Sequence, residues 1–346
     1  MQSIIALGFF DGVHLGHGEL LRRTAELAGR QGLRSVALTF DRSPGKDGRL
    51  LTSVEDRARL IRDLYGIQAV EVLPFTAEFM HMPWEDFLAL LVRDYGAAHL
   101  VCGWDYRFGY LGQGSPELLR QWCAGHGLGC DVIPRLSLDG ITVSSTFLKA
   151  LIEAGDVEAA ARYYGHPHTL SGTVQPGRHL GHTLGFPTAN LLPAPELVLP
   201  RDGVYAVRVT VNGSEESGQA RLVPTTAVSE ERGQAMPVPA SEDGAAAEAQ
   251  SYIGVCNVGM RPTVNGHHRT VETWLDGFAG DLYGKTICID FYRFLRPERT
   301  FPDLDSLKQE IFRNRQQARD YFSQPGDSRP QGRRIDAVSN GNRGVV

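Results

Sequence analysis

Gly8-Phe-Phe-Asp-Gly-Val-His-Leu-Gly-His-Gly-Glu-Leu-Leu21 sets the architecture of the first half of this chain. The apolar run Ser3 to Phe10 reads as a buried strand. Leu20, Leu21, Thr24, Leu27 and Ala28 then recur with helical spacing. His14 and His17 therefore fall in a tight loop between a strand and a helix N-terminus. Free backbone N–H groups and the positive end of the helix dipole converge there, which suits a phosphate. Glycines at 12, 16 and 18 let the backbone come close to a ligand. The loop is not a Walker A loop, because no Gly-Lys-Ser/Thr closes it, and the Gly-x-Gly-x-x-Gly order of dinucleotide sites is absent. Two plainer readings stay open. The histidines could cap the helix or meet solvent, or they could be half of a zinc site, although no second Cys/His pair at short spacing accompanies them.

Outward from this stretch, strands and helices alternate. Apolar runs at Ser35–Phe40, Ala69–Leu73, His99–Cys102 and Asp131–Pro134 read as strands. Ser53 with Asp56 opens a helix through Leu60, Ile61 and Leu64; Trp84–Tyr95 is a second, and Ser115-Pro-Glu starts a third. Glu153–Tyr164 completes a helical tail. Alternation of this kind implies a parallel, doubly wound, Rossmann-like α/β sheet, with ligands at the carboxyl ends of its strands. The loops at 8–18, 40–48, 103–109 and 142–149 fall at that end.

His14-x-Gly-His17 resembles the signature of the nucleotidyltransferase superfamily, in which two imidazoles face a triphosphate. The longer string Gly-x-Phe-Asp-Gly-Val-His-x-Gly-His, here Gly8 to His17, resembles the bacterial bifunctional riboflavin kinase/FMN adenylyltransferase (FAD synthetase) family. The resemblance implies nucleotide contacts at Gly8, Phe10, Asp11 and Gly16 and catalytic roles for His14 and His17. Gly103-Trp-Asp-Tyr-Arg-Phe-Gly109 matches the family's flavin-site string, which implies flavin binding by Asp105, Tyr106 and Phe108. The alternative is that these aromatics are core. Ser144-Ser-Thr146 matches a helix start whose hydroxyls suit phosphate oxygens, and an ordinary N-cap is compatible with that role. Two departures stand out. Lys149 replaces an arginine, keeping the charge but losing the bidentate fork. Asp41-Arg-Ser-Pro44 replaces Asp-Pro-His-Pro, leaving Arg42 or Lys46 as substitutes for the missing histidine.

Gly165-His-Pro-His168 breaks the helical tail, and the linker falls there. Beyond it strands dominate: Tyr205, Val207, Val209 and Val211 alternate, as do Ile287, Ile289 and Phe291. They read as a small closed barrel, followed by a helix of about Leu304–Phe322 with Leu304, Leu307, Ile311, Ala318 and Phe322 on its apolar side. Gly172 to Asn190 resembles the riboflavin kinase module of the same family. That resemblance implies a glycine-rich flap containing Gly177 and Gly185 over the nucleotide, with Thr188 and Asn190 meeting ATP phosphates and Mg²⁺. It makes Glu272, in Thr270-Val-Glu-Thr273, the base for the ribityl hydroxyl. The alternative for Glu272 is a strand residue on a solvated face. Gly280-Asp-Leu-Tyr-Gly-Lys-Thr286 is one residue short of a Walker A loop and leads into a strand pattern, so it reads as a turn. In the last helix Asn314 stands where the family often has Asp.

The expected domains are 1–165, an adenylyltransferase, and 166–322, a kinase barrel. An insertion at 213–250 and a tail at 323–346 are expected to be disordered. The 346 residues are 42% hydrophobic, enough for two cores, and the net charge of −5 argues against nucleic acid as the main partner. Cys102, Cys123, Cys130, Cys256 and Cys288 are scattered and form no Cys-x-x-Cys, arguing against a disulfide framework or a zinc ribbon. With no basic leader and no apolar run of about 20 residues, a cytoplasmic protein without membrane contact is expected. The resemblance implies riboflavin, FMN, FAD and ATP as substrates and products, with Mg²⁺ as cofactor. Two rivals stay open: a kinase whose first domain transfers poorly, and a flavin sensor without turnover.

Overall fold

The computed structural model describes residues 1–43, 48–176, 188–211, 221–222, 250–263 and 266–324. The chain forms two units, Met1–His168 with Glu196–Val198, and Thr169–Pro195 with Leu199–Pro325.

In the first unit five parallel strands lie in the order β3-β2-β1-β4-β5. They are β1 (Ser3–Leu7), β2 (Arg34–Phe40), β3 (Ala69–Leu73), β4 (Ala97–Gly103) and β5 (Gly129–Ile133). Ile4, Ile5, Ala6 and Leu7 are all fully buried, as a central parallel strand covered on both faces requires. Helices α1 (Leu15–Gln31), α2 (Val54–Tyr65), α3 (Ala77–Met80), α4 (Trp84–Tyr95) and α5 (Pro116–Gly125) connect them. The strand order reverses between β1 and β4, and ligands bind such sheets at that switch point. The helix starts read from sequence are real: Ser53 Oγ accepts the Asp56 N–H at 3.0 Å, and Ser115 caps α5 ahead of Pro116.

Two features differ from expectation. The helical tail is two helices, α6 (Ser145–Ala154) and α7 (Val157–Tyr164), because Gly155 takes a left-handed conformation (φ 78°) and Asp156 caps the next turn. The segment before α4 holds the short α3, which no periodicity announces in so few residues. A two-residue hairpin, β6 (Ser137–Leu138) with β7 (Ile141–Thr142), precedes α6.

The second unit contains β8 (His168–Thr173), β9 (Thr188–Leu191), β10 (Gly203–Val211), the short β11 (Arg221–Leu222), β12 (Gln250–Thr263), β13 (Gly266–Leu275) and β14 (Thr286–Arg296), then α8 (Leu304–Ser323). Its curled sheet runs β8-β14-β10-β12-β13-β9. The chain beyond β8 meets β9 through one bridge, the Gln175 N–H donating to the Asn190 carbonyl at 2.8 Å, so the curl closes toward a barrel. Tyr205, Val207, Val209, Ile287, Ile289 and Phe291 are fully buried inside it. The stretch at 280–286 is a turn into β14, as its pattern indicates, with Gly284 at φ 73°.

The buried face of α8 includes Ala318 of the expected apolar side, but polar residues share it. Glu310, Asn314 and Ala318 are its buried residues, and Leu304 is 59% exposed. Glu310 is buried because Arg296, Arg299 and Arg313 surround its carboxylate. Asn314 accepts from Arg296 Nε at 3.1 Å and donates to Glu310 at 3.4 Å, a pairing that a second carboxylate could not make.

Candidate active sites

His14 is the N-cap of α1, and its Nδ1 accepts the His17 N–H at 3.2 Å. This bond satisfies one free amide of the first turn and leaves Nε2 as the nitrogen that carries hydrogen in the neutral ring. The two imidazoles stack with centroids 3.6 Å apart and 13° between planes. Burial lowers the His14 pKa to about 3 and holds His17 well below its usual range. Both are therefore neutral hydrogen-bonding groups at physiological pH. His17 Nδ1 is buried without a partner.

The loop that delivers them is tightly constrained. Phe10, Gly12 and Val13 have φ values of 54°, 78° and 43°. A Cβ at Gly12 would stand 2.8 Å from the Tyr164 ring and 2.9 Å from Leu51. The Asp11 carboxylate accepts the Leu51 N–H at 2.8 Å and the Thr52 N–H at 3.1 Å, and its pKa is raised by burial. Arg57 lies behind the loop, fully buried, 4.3 Å over the Phe9 ring and bonded to Thr39 Oγ1 and the Phe40 carbonyl. Burial lowers its pKa to about 10, so it remains a cation near this loop.

A cavity of about 750 Å³ opens at the carboxyl ends of β1, β2, β4 and β5, where Leu7, Phe40, Gly103 and Ile133 are the last strand residues. Gly8, His14, Gly16, His17, Ser144 and Ser145 line it, as do Asp105, Tyr106 and Phe108. Tyr106 and Phe108 stack at 5.5 Å, with Phe108 also part of the core. Thus the motifs at 8–17, 103–109 and 144–145 meet in one place. Ser144 caps α6, accepting from the Phe147 N–H at 3.3 Å, and Ser145 Oγ donates to the Asp11 carbonyl at 3.0 Å.

Four expected contacts fall elsewhere. Phe10 is wholly buried with its ring edge-on to His17, and Asp11 is buried with its carboxylate engaged by residues 51 and 52, so both brace the loop from behind. Thr146 and Lys149 lie beyond the cavity lining, and Lys149 Nζ donates to the Arg49 carbonyl at 2.6 Å. Arg42 is exposed beside Asp41; Lys46, Gly177 and Gly185 lie outside the described residues. The sequence reading missed the cavity's apolar wall, Phe75, Phe79, Met80 and Met82. Asp41 positions it by accepting the Phe75 N–H at 2.8 Å. The available signal was a run of large apolar side chains in a stretch with no regular period.

In the second unit the three expected residues share one face of one strand pair. β9 and β13 are antiparallel, with Glu272 opposite Asn190 and Trp274 opposite Thr188. Directly opposed residues project to the same side. The other side, Ala189, Leu191, Val271 and Thr273, is buried in the barrel. Asn190 is itself 8% exposed, and its Oδ1 is buried with no partner. That orphan acceptor lies beside a half-buried carboxylate. Among the described residues no group of three or more His, Cys, Asp or Glu could hold a metal ion by itself.

Comparison with known proteins assigns each part of the chain to a family. The FAD synthetase family matches residues 1–147 and the riboflavin kinase family matches residues 164–322. The fold and sites thus define a fused pair of ATP-using transferases. The chain belongs to the bifunctional riboflavin kinase/FMN adenylyltransferase family. Relatives of that name include the Bacillus subtilis protein, 30% identical over 93% of each chain, and the Escherichia coli K12 protein, 31% identical over 92% of each. A solved structure described as a macrolide-efflux protein from Streptococcus pneumoniae superposes with a TM-score of 0.72 at 25% identity, over 92% of this chain and 94% of that one. Only the fold is drawn from that likeness. No helix among the described residues is long and apolar enough to cross a membrane.

Proposed function

We propose that the two units act in succession on one flavin. The second phosphorylates riboflavin from ATP, giving FMN and ADP. The first joins FMN to the AMP portion of another ATP, giving FAD and pyrophosphate. The domain limits assigned to these activities are 1–165 and 166–322.

In the kinase, Glu272 takes the proton of the ribityl 5′-hydroxyl, whose own pKa is too high for attack at neutral pH. Thr188 and Asn190 would hold Mg²⁺ together with ATP phosphates. The orphan Asn190 Oδ1 fits a hard cation, and Mg²⁺ is commonly bound by one or two protein oxygens plus substrate phosphates. When bound, the ion neutralises charge on the transferring phosphoryl group.

In the adenylyltransferase the FMN phosphate is already an anionic nucleophile, so no base is required. His14 and His17 donate hydrogen bonds to the α-phosphate as its charge grows, and the N-termini of α1 and α6 add their dipoles. The aromatic wall of Tyr106, Phe108, Phe75 and Phe79 takes the isoalloxazine ring. One observation carries this reading: a single cavity has paired imidazoles at a helix start on one side and stacked aromatics on another. A reducing, cytoplasmic site of action is consistent with five free cysteines.

The test is chromatography of flavins after incubation with riboflavin, ATP and Mg²⁺. FMN followed by FAD is expected. FMN alone would mean that adenylyl transfer has been lost, and unchanged riboflavin would defeat the reading altogether.

A further inference from the structure

His166 belongs to the segment that leaves α7, outside every motif that carries the family resemblance. It is 3% exposed, and both ring nitrogens end on backbone carbonyls: Nδ1 is 2.7 Å from the Pro167 oxygen and Nε2 is 3.2 Å from the Gly12 oxygen. Gly12 is the residue on which the phosphate loop turns, left-handed at φ 78° between Phe10 at 54° and Val13 at 43°. Its N–H donates to Thr52 Oγ1 at 3.1 Å. Its two backbone polar groups are thus engaged from opposite partners, Thr52 and His166. The Tyr164 ring, 4.9 Å from His166, fills the space where a Cβ on Gly12 would stand. His14 follows two residues later, so the orientation of the Gly12 peptide is passed directly to the start of α1.

We infer that His166 is a positioning residue for adenylyl transfer: its ring holds the Gly12 carbonyl, and thereby fixes the Phe10–Val13 turn that presents His14 and His17 to the transferring phosphate. The neutral ring donates to Gly12 as the tautomer with hydrogen on Nε2. The left-handed residues in this turn need such surrounding contacts, because the isolated chain disfavours them. Small displacements of groups that act on a transition state are costly in rate. The inference rests on His14 and His17 being the phosphate-facing pair.

The test uses the full chain, which carries its own control in the kinase activity. FAD formation from FMN and ATP, FMN formation from riboflavin and ATP, and Tm are measured for wild type, His166→Ala, His166→Gln and His14→Ala. Because the ring acts through the transition state, His166→Ala should lower kcat for FAD formation about 10- to 100-fold with KM for FMN and ATP little changed. FMN formation should be unchanged. His166→Gln, which retains a donor, should recover most of the loss. The inference is overturned if His166→Ala forms FAD at the wild-type rate, if His166→Gln is no better than alanine, or if both activities fall together with Tm. His14→Ala separates the two levels. If it retains FAD formation, the phosphate-facing pair is wrong and the inference falls with it. If it loses FAD formation while His166→Ala keeps it, the inference alone is wrong.

Discussion

His14 is a neutral hydrogen-bonding group because burial disfavours its charged form. With its pKa lowered to about 3 and its ring stacked on His17 at 3.6 Å, two imidazolium ions cannot coexist there. Three outcomes follow at this scale. The pH profile of kcat for FAD formation should show no limb from His14 near its ordinary value of 6.5, and a limb that disappears in His14→Asn would contradict this. Removing the donor altogether, in His14→Ala, should cut FAD formation by about 10²- to 10³-fold while FMN still accumulates. In the other unit, Glu272→Gln should lower kcat for riboflavin phosphorylation by about 10²- to 10⁴-fold and leave adenylylation of supplied FMN intact. Equal loss of both activities in Glu272→Gln would indicate a folding defect in place of a missing base. A motif names such residues without giving their direction: Phe10 and Asp11 stand in the same string as His14, yet they face backward into packing that involves residues 51 and 52.

At the level of elements, the strand-to-helix turn and the last helix behave differently under sequence reading. The turn was legible because glycine spacing, histidines and the following helical period all agree locally. Gly12→Ala places a Cβ 2.8 Å from Tyr164 at φ 78°, and should destabilise the first unit by about 1–3 kcal/mol while abolishing FAD formation. Calorimetry should show an earlier transition; unaltered melting would mean that the turn is not under constraint. Helix α8 was read only in part. Hydrophobic periodicity selects Leu304, Leu307, Ile311, Ala318 and Phe322, of which Ala318 is buried and Leu304 exposed, while Glu310 and Asn314 are buried on the same helix because three arginines from β14, its following loop and α8 itself converge on Glu310. Glu310→Ala leaves those cations without their shared acceptor and should cost about 1–3 kcal/mol, read as a lower denaturation midpoint for the kinase unit. A neutral effect would show that the arginines find water instead.

Over the whole molecule, buried histidines couple stability to pH. His14, His17, His166 and His168 all lie in the first unit, and burial lowers each pKa, to about 3 for His14 and about 4 for His168. The unfolded chain binds protons near 6.5 while the folded unit does not, so stability is full above about 6.5 and declines as pH falls toward those lower values. Melting temperature should therefore drop between pH 7 and pH 5; a flat profile would show that these rings are protonated when folded. Sequence alone determined the alternation of β1 to β5 with their longer helices, the carboxyl-end location of the first site and the strings that carry the family resemblance, because each depends on near neighbours and on period. Only tertiary structure decided which side chains face the cavity, that residues 75–82 form its wall, that Glu272 stands opposite Asn190, and that His166 reaches Gly12. Those facts depend on strand register and on packing between residues up to 154 positions apart, which no local pattern encodes.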